Sequence, residues 1–147
     1  MQKIPFDDPD EFLFIRVKDE HVEGDGVVSA VVGIPDWSTN RERFSEPDDV
    51  LTGYPDYTRV GEFHVRDIPE RIDADPPANP DEKQPAAWCF WAEHDPLPDN
   101  DAHSEVRMRK DGEEYVRNKK PNSSTYRKKV RNVLAKMIRV RTADPSR

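Results

Sequence analysis

The chain has 147 residues, 34% hydrophobic and 36% charged, with a formal net charge of −7. That length fits one domain with a compact core, and the composition excludes a membrane helix, which needs about 18 or more apolar residues in a row. The single cysteine, Cys89, excludes an internal disulfide, and 14 prolines against 6 glycines argue against a long helical bundle.

Residues 1–11 are polar, carry two prolines and read as an arm or edge. Met1 to Pro5 does not look like a signal peptide, so the expected setting is cytoplasmic, reducing and non-membrane. Phe12 to Val17 (FLFIRV) is the first strong strand. Arg16 within it marks either an edge, from which its head reaches water, or a pocket; the edge is the reading adopted. Glu23 to Gly26 forms a turn, and the β-branched run Val27 to Ile34 (VVSAVVGI) predicts a second, buried strand. Ser45 as cap, Pro47 in the first turn and the acids after it signal a short helix, stopped by Gly53 and Pro55. Arg59 to Arg66 alternates as a strand, with Gly61 a candidate bulge. Residues 67–85 are proline-rich, lack periodicity and read as a long irregular loop.

Ala87 to Glu93 (AWCFWAE) predicts a largely buried strand, followed by a Pro/Asp loop. From His103 to Arg109 the alternation puts Ser104, Val106 and Met108 on one side and His103, Glu105, Arg107 and Arg109 on the other. Asp111-Gly112 suits a type I′ turn, with Glu114 to Arg117 returning, so 87–117 reads as a three-stranded antiparallel meander. Tyr126, Val130, Val133, Leu134, Met137 and Ile138 recur at helical spacing and predict a C-terminal amphipathic helix; residues 142–147 read as a frayed tail. The fold expected is a single α+β domain over 1–147, with a mostly antiparallel, barrel-like sheet of about five or six strands, a short inserted helix and the C-terminal helix packed on the sheet.

The net charge conceals two opposed regions. Residues 1–106 hold 26 Asp/Glu and 9 Lys/Arg, a net of −17, whereas 107–141 hold 3 and 13, a net of +10. Arg107, Arg109, Arg127, Lys128 and Arg131 therefore form a candidate binding surface for an acidic protein or nucleic acid, although no known nucleic-acid-binding motif accompanies them. An intracellular binding or interaction protein is the first functional expectation. A second comes from the only dense cluster of His and carboxylates, His94, Asp95, Asp99, Asp101, His103 and Glu105: His94, His103 and Asp101 are candidate ligands for a divalent metal in a hydrolase, with the carboxylates also serving as base.

A third reading starts from Arg16 in FLFIRV, Ser38-Thr39 in DWSTN and Glu105 in HSEVRM. An early strand Arg, a Ser-Thr strand start and a late strand Glu together resemble ADP-ribosyltransferase-like folds. The resemblance implies that Arg16 and Ser38 hold NAD, and that Glu105 stabilises the oxocarbenium-like charge as nicotinamide leaves. The chain departs from that pattern at Asn40, where the family has a second Ser, and at His103, where it has Glu or Gln. The catalytic candidates are thus Glu105, His103, Arg16 and Ser38.

Overall fold

The structure, a computed structural model, describes residues 1–142. Its strands are β1 (Phe12–Val17), β2 (Val22–Glu23), β3 (Gly26–Val27), β4 (Trp37–Arg41), β5 (Arg59–His64), β6 (Arg71–Ile72), β7 (Trp88–His94) and β8 (His103–Lys110), followed by helix α1 (Ser124–Ala135) and strand β9 (Arg139–Val140). Seven of the strands form one antiparallel sheet in the order β6-β7-β8-β4-β1-β5-β9, while β2 and β3 make a separate small hairpin. The sheet is open, ending in the two-residue edge strands β6 and β9, so the barrel-like closure expected from the sequence does not occur.

Two-residue periodicity gives the sheet two different faces. Leu13, Ile15 and Val17 of β1, Trp37 of β4, Phe63 of β5, Trp88 and Phe90 of β7, and Val106 and Met108 of β8 pack with Tyr126, Val130, Leu134 and Ala135 of α1 into the main core. The helix starts where expected, with Ser123 accepting the Tyr126 N–H at 3.1 Å. The Tyr126 hydroxyl accepts the Trp88 N–H at 3.0 Å and donates to the Ile72 carbonyl, tying α1 to β6 and β7. The other face carries polar side chains together with Trp91 of β7, and at one end Phe14, Val50 and Val60 form a small second cluster under the 3₁₀ turn Pro47–Leu51.

Several expectations are corrected by this packing. Glu114 to Arg117 forms no strand; β8 takes β4 as its second neighbour, so 87–117 is a two-stranded hairpin followed by a loop. Of the Asp111-Gly112 pair only Gly112 has positive φ, which rules out a type I′ turn. The run Val27–Ile34 leaves the ladder after Val27 and enters a 3₁₀ turn, Ser29–Val31, that packs on α1. The inserted helix is the 3₁₀ turn, capped by Glu46 rather than Ser45. Gly61 is no bulge, since the β1–β5 ladder runs unbroken through Ile15↔Gly61; a Cβ there would lie 2.9 Å from Ile138 Cγ2 and 3.0 Å from Ile15 Cγ1.

The N-terminal arm is anchored rather than loose. Arg41, with no exposed surface, makes a bidentate pair with Glu11, Nε–Oε2 2.9 Å and Nη2–Oε1 2.7 Å, and donates to the Ile4 carbonyl at 2.6 Å beneath the Phe6 ring. A buried guanidinium requires such full pairing, because an uncompensated charge there is strongly destabilising. Of the expected C-terminal tail, residues 143–147 lie outside the described residues. Among the described residues no helix is long and apolar enough to cross a membrane.

Candidate functional site

The polar face carries the candidate residues, and strand register explains why. Ser38 pairs with Glu105 and Asn40 with His103 across β4 and β8, so these four side chains share one face. On the other side of β4, the ladder to β1 stops after Phe14↔Asn40. Beyond it β1 and β4 part, and Arg16 and Ser38 flank the gap. Two adjoining clefts open there, both lined by Arg16 and Ser38: one of about 310 Å³ with Trp37, Asp36 and Tyr57, and one of about 580 Å³ with Asn40, Tyr54, Asn100 and His103. Arg16 is therefore a cleft residue on an interior strand, not an edge residue. Tyr54 and Leu97, 43% and 40% exposed, contribute apolar surface to the larger cleft.

The Arg16 guanidinium lies over the Tyr54 ring at 3.7 Å and over Tyr57 at 5.6 Å. The two rings, perpendicular to each other, attract the cation by their π faces and take none of its N–H donors in a hydrogen bond. Among the described residues, no acceptor or carboxylate engages those donors.

Ser38 and His103 are in contact, with Oγ 3.0 Å from Nε2. The opposite ring nitrogen, Nδ1, lies 2.8 Å from the Asp95 carbonyl oxygen. A carbonyl only accepts, so Nδ1 carries a proton; in the neutral ring Nε2 then has the lone pair that accepts the Ser38 hydroxyl. The Asp95 carboxylate lies 3.9 Å from the same Nδ1.

Glu105 has a different environment. It is 2% exposed and bound by two arginines: Arg107 Nε at 2.9 Å, and both terminal nitrogens of Arg117 at 3.0 Å each. Arg107 also faces Glu93 and Asp95, each at 3.7 Å. The bonds and charge of Glu105 raise the Arg117 pKa. In Arg107, burial opposes the charge, and the Glu105 hydrogen bond and the charges around it outweigh burial to leave the pKa raised. The loop after β8 closes over this knot. Tyr115 packs on Trp91 and over Arg107 and donates its hydroxyl to Asp36, whose other oxygen accepts the Asn118 N–H at 2.7 Å. Burial and the bond to Asp36 push the Tyr115 hydroxyl up to about 12.

The structure thus brings Arg16, Ser38 and His103 to one cleft, while Glu105, though on the adjacent strand, is enclosed by arginines and does not line it. The metal ligand set is not assembled. His94 accepts the Ile4 N–H on Nδ1 at 2.9 Å and donates from Nε2 to the Asp101 carbonyl at 2.7 Å, so neither nitrogen offers a lone pair. Among the described residues no group of three His, Cys, Asp or Glu could hold a metal ion. Nor is the basic surface continuous. Arg107 and Arg109 project from the sheet face opposite α1, and Arg107 is buried in the knot, so only Arg127, Lys128 and Arg131 share the helix. Of these, Arg127 donates to the Pro121 and Asn122 carbonyls.

Sequence reasoning missed Asn40, Asn100 and Tyr54 as contributors to the site, and placed Asp95 only within the acidic cluster around His94 and His103. Asn100 donates to the Asn40 side-chain carbonyl at 2.8 Å, which leaves the Asn40 amide N–H groups for the cleft. The parity of Asn40 with Ser38 on β4 was the available signal. Tyr54 enters from a loop and gave none. The chain matches no protein-family model, no curated protein and no solved structure.

Proposed function

We propose that this protein binds a small anionic ligand in the cleft between β1 and β4. The observation that carries the reading is Arg16, held over the Tyr54 ring at 3.7 Å within a polar cleft of about 580 Å³. A guanidinium so held presents its fork of donors to a carboxylate or phosphate and loses little freedom on binding. Ser38, Asn40 and His103 add neutral hydrogen-bonding groups. Asp49, Asp99 and Asp101 also line this cleft, so a ligand with an anionic head and a hydroxyl-bearing body fits better than a polyanion. Ligands of this class bury most of their surface in clefts of roughly 300–1,000 Å³.

The test is a thermal-shift series with small carboxylates, phosphate esters and NAD. A ligand that binds the folded state raises the midpoint by mass action. At least one of them is expected to do so, and Arg16→Gln to remove the shift. A shift of equal size in Arg16→Gln, or none with any of them, would sink the reading.

NAD is the narrower version, favoured by the convergence of Arg16 and Ser38. It needs Glu105 freed from Arg107 and Arg117, so Glu105→Gln should abolish NAD cleavage while sparing binding. An interaction role remains a second reading: Lys128 and Arg131 on α1 have no ion pair among the described residues. Binding of an acidic protein or nucleic acid there would fall steeply with salt and with charge reversal at those two positions.

A further inference from the structure

We propose that Ser38 and His103 form a nucleophile–base pair that hydrolyses carboxylic esters bearing an anionic group. The nucleophile rests on the Ser38–His103 geometry alone; the anionic substrate class rests on the reading of Arg16 given above.

An activated serine needs three things at once. Its hydroxyl must donate to a base, the base must be held in the right tautomer, and the hydroxyl must face a space a substrate can enter. The Ser38 Oγ–His103 Nε2 distance of 3.0 Å meets the first. The Asp95 carbonyl, 2.8 Å from Nδ1, meets the second by fixing the proton on Nδ1; the Asp95 carboxylate at 3.9 Å stabilises the ring when it becomes charged. For the third, Ser38 lines both clefts and His103 lines the larger one, which places the pair beside open space. Asp95 is a positioning residue and touches no substrate.

His94 and His103 flank the same loop, and both have each ring nitrogen engaged. His94 is buried between backbone groups of the arm and the loop. The base nitrogen of His103 instead meets a hydroxyl that lies at the cleft. A donor for the developing oxyanion is at hand in the same cleft: the Asn40 amide, whose carbonyl is occupied by Asn100.

In the first step the Ser38 Oγ–acyl carbon bond forms and the bond to the leaving alkoxide breaks. The Ser38 proton passes to His103 Nε2 and then to the alkoxide, which departs as the alcohol. Water next attacks the acyl carbon and gives its proton to Nε2. The Oγ–carbon bond breaks, Ser38 recovers the proton and the carboxylic acid leaves. Water is the only co-reactant.

The experiment treats the full-length protein with an uncharged alkyl fluorophosphonate and follows it by intact mass and peptide mapping. One adduct is expected, on Ser38, absent in Ser38→Ala and formed at least about 100-fold more slowly in His103→Gln. No adduct in the wild-type protein, or equally fast labelling in His103→Gln, overturns the pair whatever the variants do to folding. A second arm compares an aryl ester carrying a carboxylate with its neutral methyl-ester counterpart. The anionic ester should have the higher kcat/KM, and Arg16→Gln should narrow that ratio by about 10-fold or more. Labelling at Ser38 without such a preference supports the pair and overturns Arg16 as the selector. Anion binding without labelling overturns the pair and leaves the binding reading intact.

Discussion

Two arginines on one sheet face, Arg107 and Arg16, show how the same side chain serves opposite ends. Arg107 on β8 is buried among Glu105, Glu93 and Asp95 and covered by Tyr115. Arg16 on β1 is held by aromatic rings alone and opens into a cleft. The first guanidinium has its charge answered within the fold, so it stabilises the fold and is unavailable for binding. The second has its position answered but not its charge, which is the arrangement a binding site needs. The seam between them is β4, where Ser38 faces Glu105 on one side and the Arg16 cleft on the other.

The two arginines differ most in what Glu105 does for them. Glu105→Ala would leave the buried Arg107 without its closest partner, and a loss of about 3 kcal/mol is expected, at the low end for a broken buried pair because Arg117 is half exposed. Urea unfolding measures it; a loss below about 1 kcal/mol would show that the knot is no more than a surface ion pair. Arg16→Gln should do the reverse. Stability should change by less than about 1 kcal/mol, while Kd for an anionic ligand rises about 10- to 100-fold, as for a lost charged hydrogen bond. Equal losses of stability at both positions would erase the distinction.

The cover over the knot gives a pH signature. Tyr115 keeps its proton in the fold up to about 12, against 10 in the unfolded chain. A raised pKa means that its contribution is complete below pH 10 and is lost as pH climbs through 10 to 12. Melting temperatures in that window should fall less steeply for Tyr115→Phe than for the parent, and the variant itself should lose about 1 kcal/mol at neutral pH. The smallest effect is expected at Thr39, between Ser38 and Asn40. Its buried Oγ1 has no hydrogen-bond partner among the described residues, so Thr39→Val should leave stability unchanged or raise it by up to about 1 kcal/mol. A clear loss would reveal a partner for that hydroxyl.

Local pattern made much of this molecule legible. Strands β5 and β8 and helix α1 follow from periodicity, β1 and β7 from short apolar runs, and the two faces of β8 from alternation. What failed depended on partners distant in sequence. VVSAVVGI has strand composition but is used as a 3₁₀ turn under α1, because tertiary packing overrides a modest β preference. Glu114 to Arg117 was denied a strand because β4 occupies that side of β8, a fact no window of the sequence contains. At the site, Arg16, Ser38 and His103 were named individually, but the hydrogen bond joining Ser38 to His103 spans 65 positions and depends on the β4–β8 register. The metal set failed for a similar reason: the lone pair His94 would need is taken by the N–H of Ile4, 90 positions away.

That β4–β8 register also bears on how the chain reaches its final state. β1, β4 and β5 lie close in sequence, and β7 and β8 form a hairpin, so each group can assemble from nearby pieces. The seam joining them closes a much longer loop and is expected to form last, since distant pairings carry the larger entropic penalty. Ser38 and His103 sit on opposite sides of that seam. A refolding chain can therefore hold most of its secondary structure while Ser38 still lacks its base, so recovery of Ser38 reactivity should trail recovery of far-ultraviolet circular dichroism.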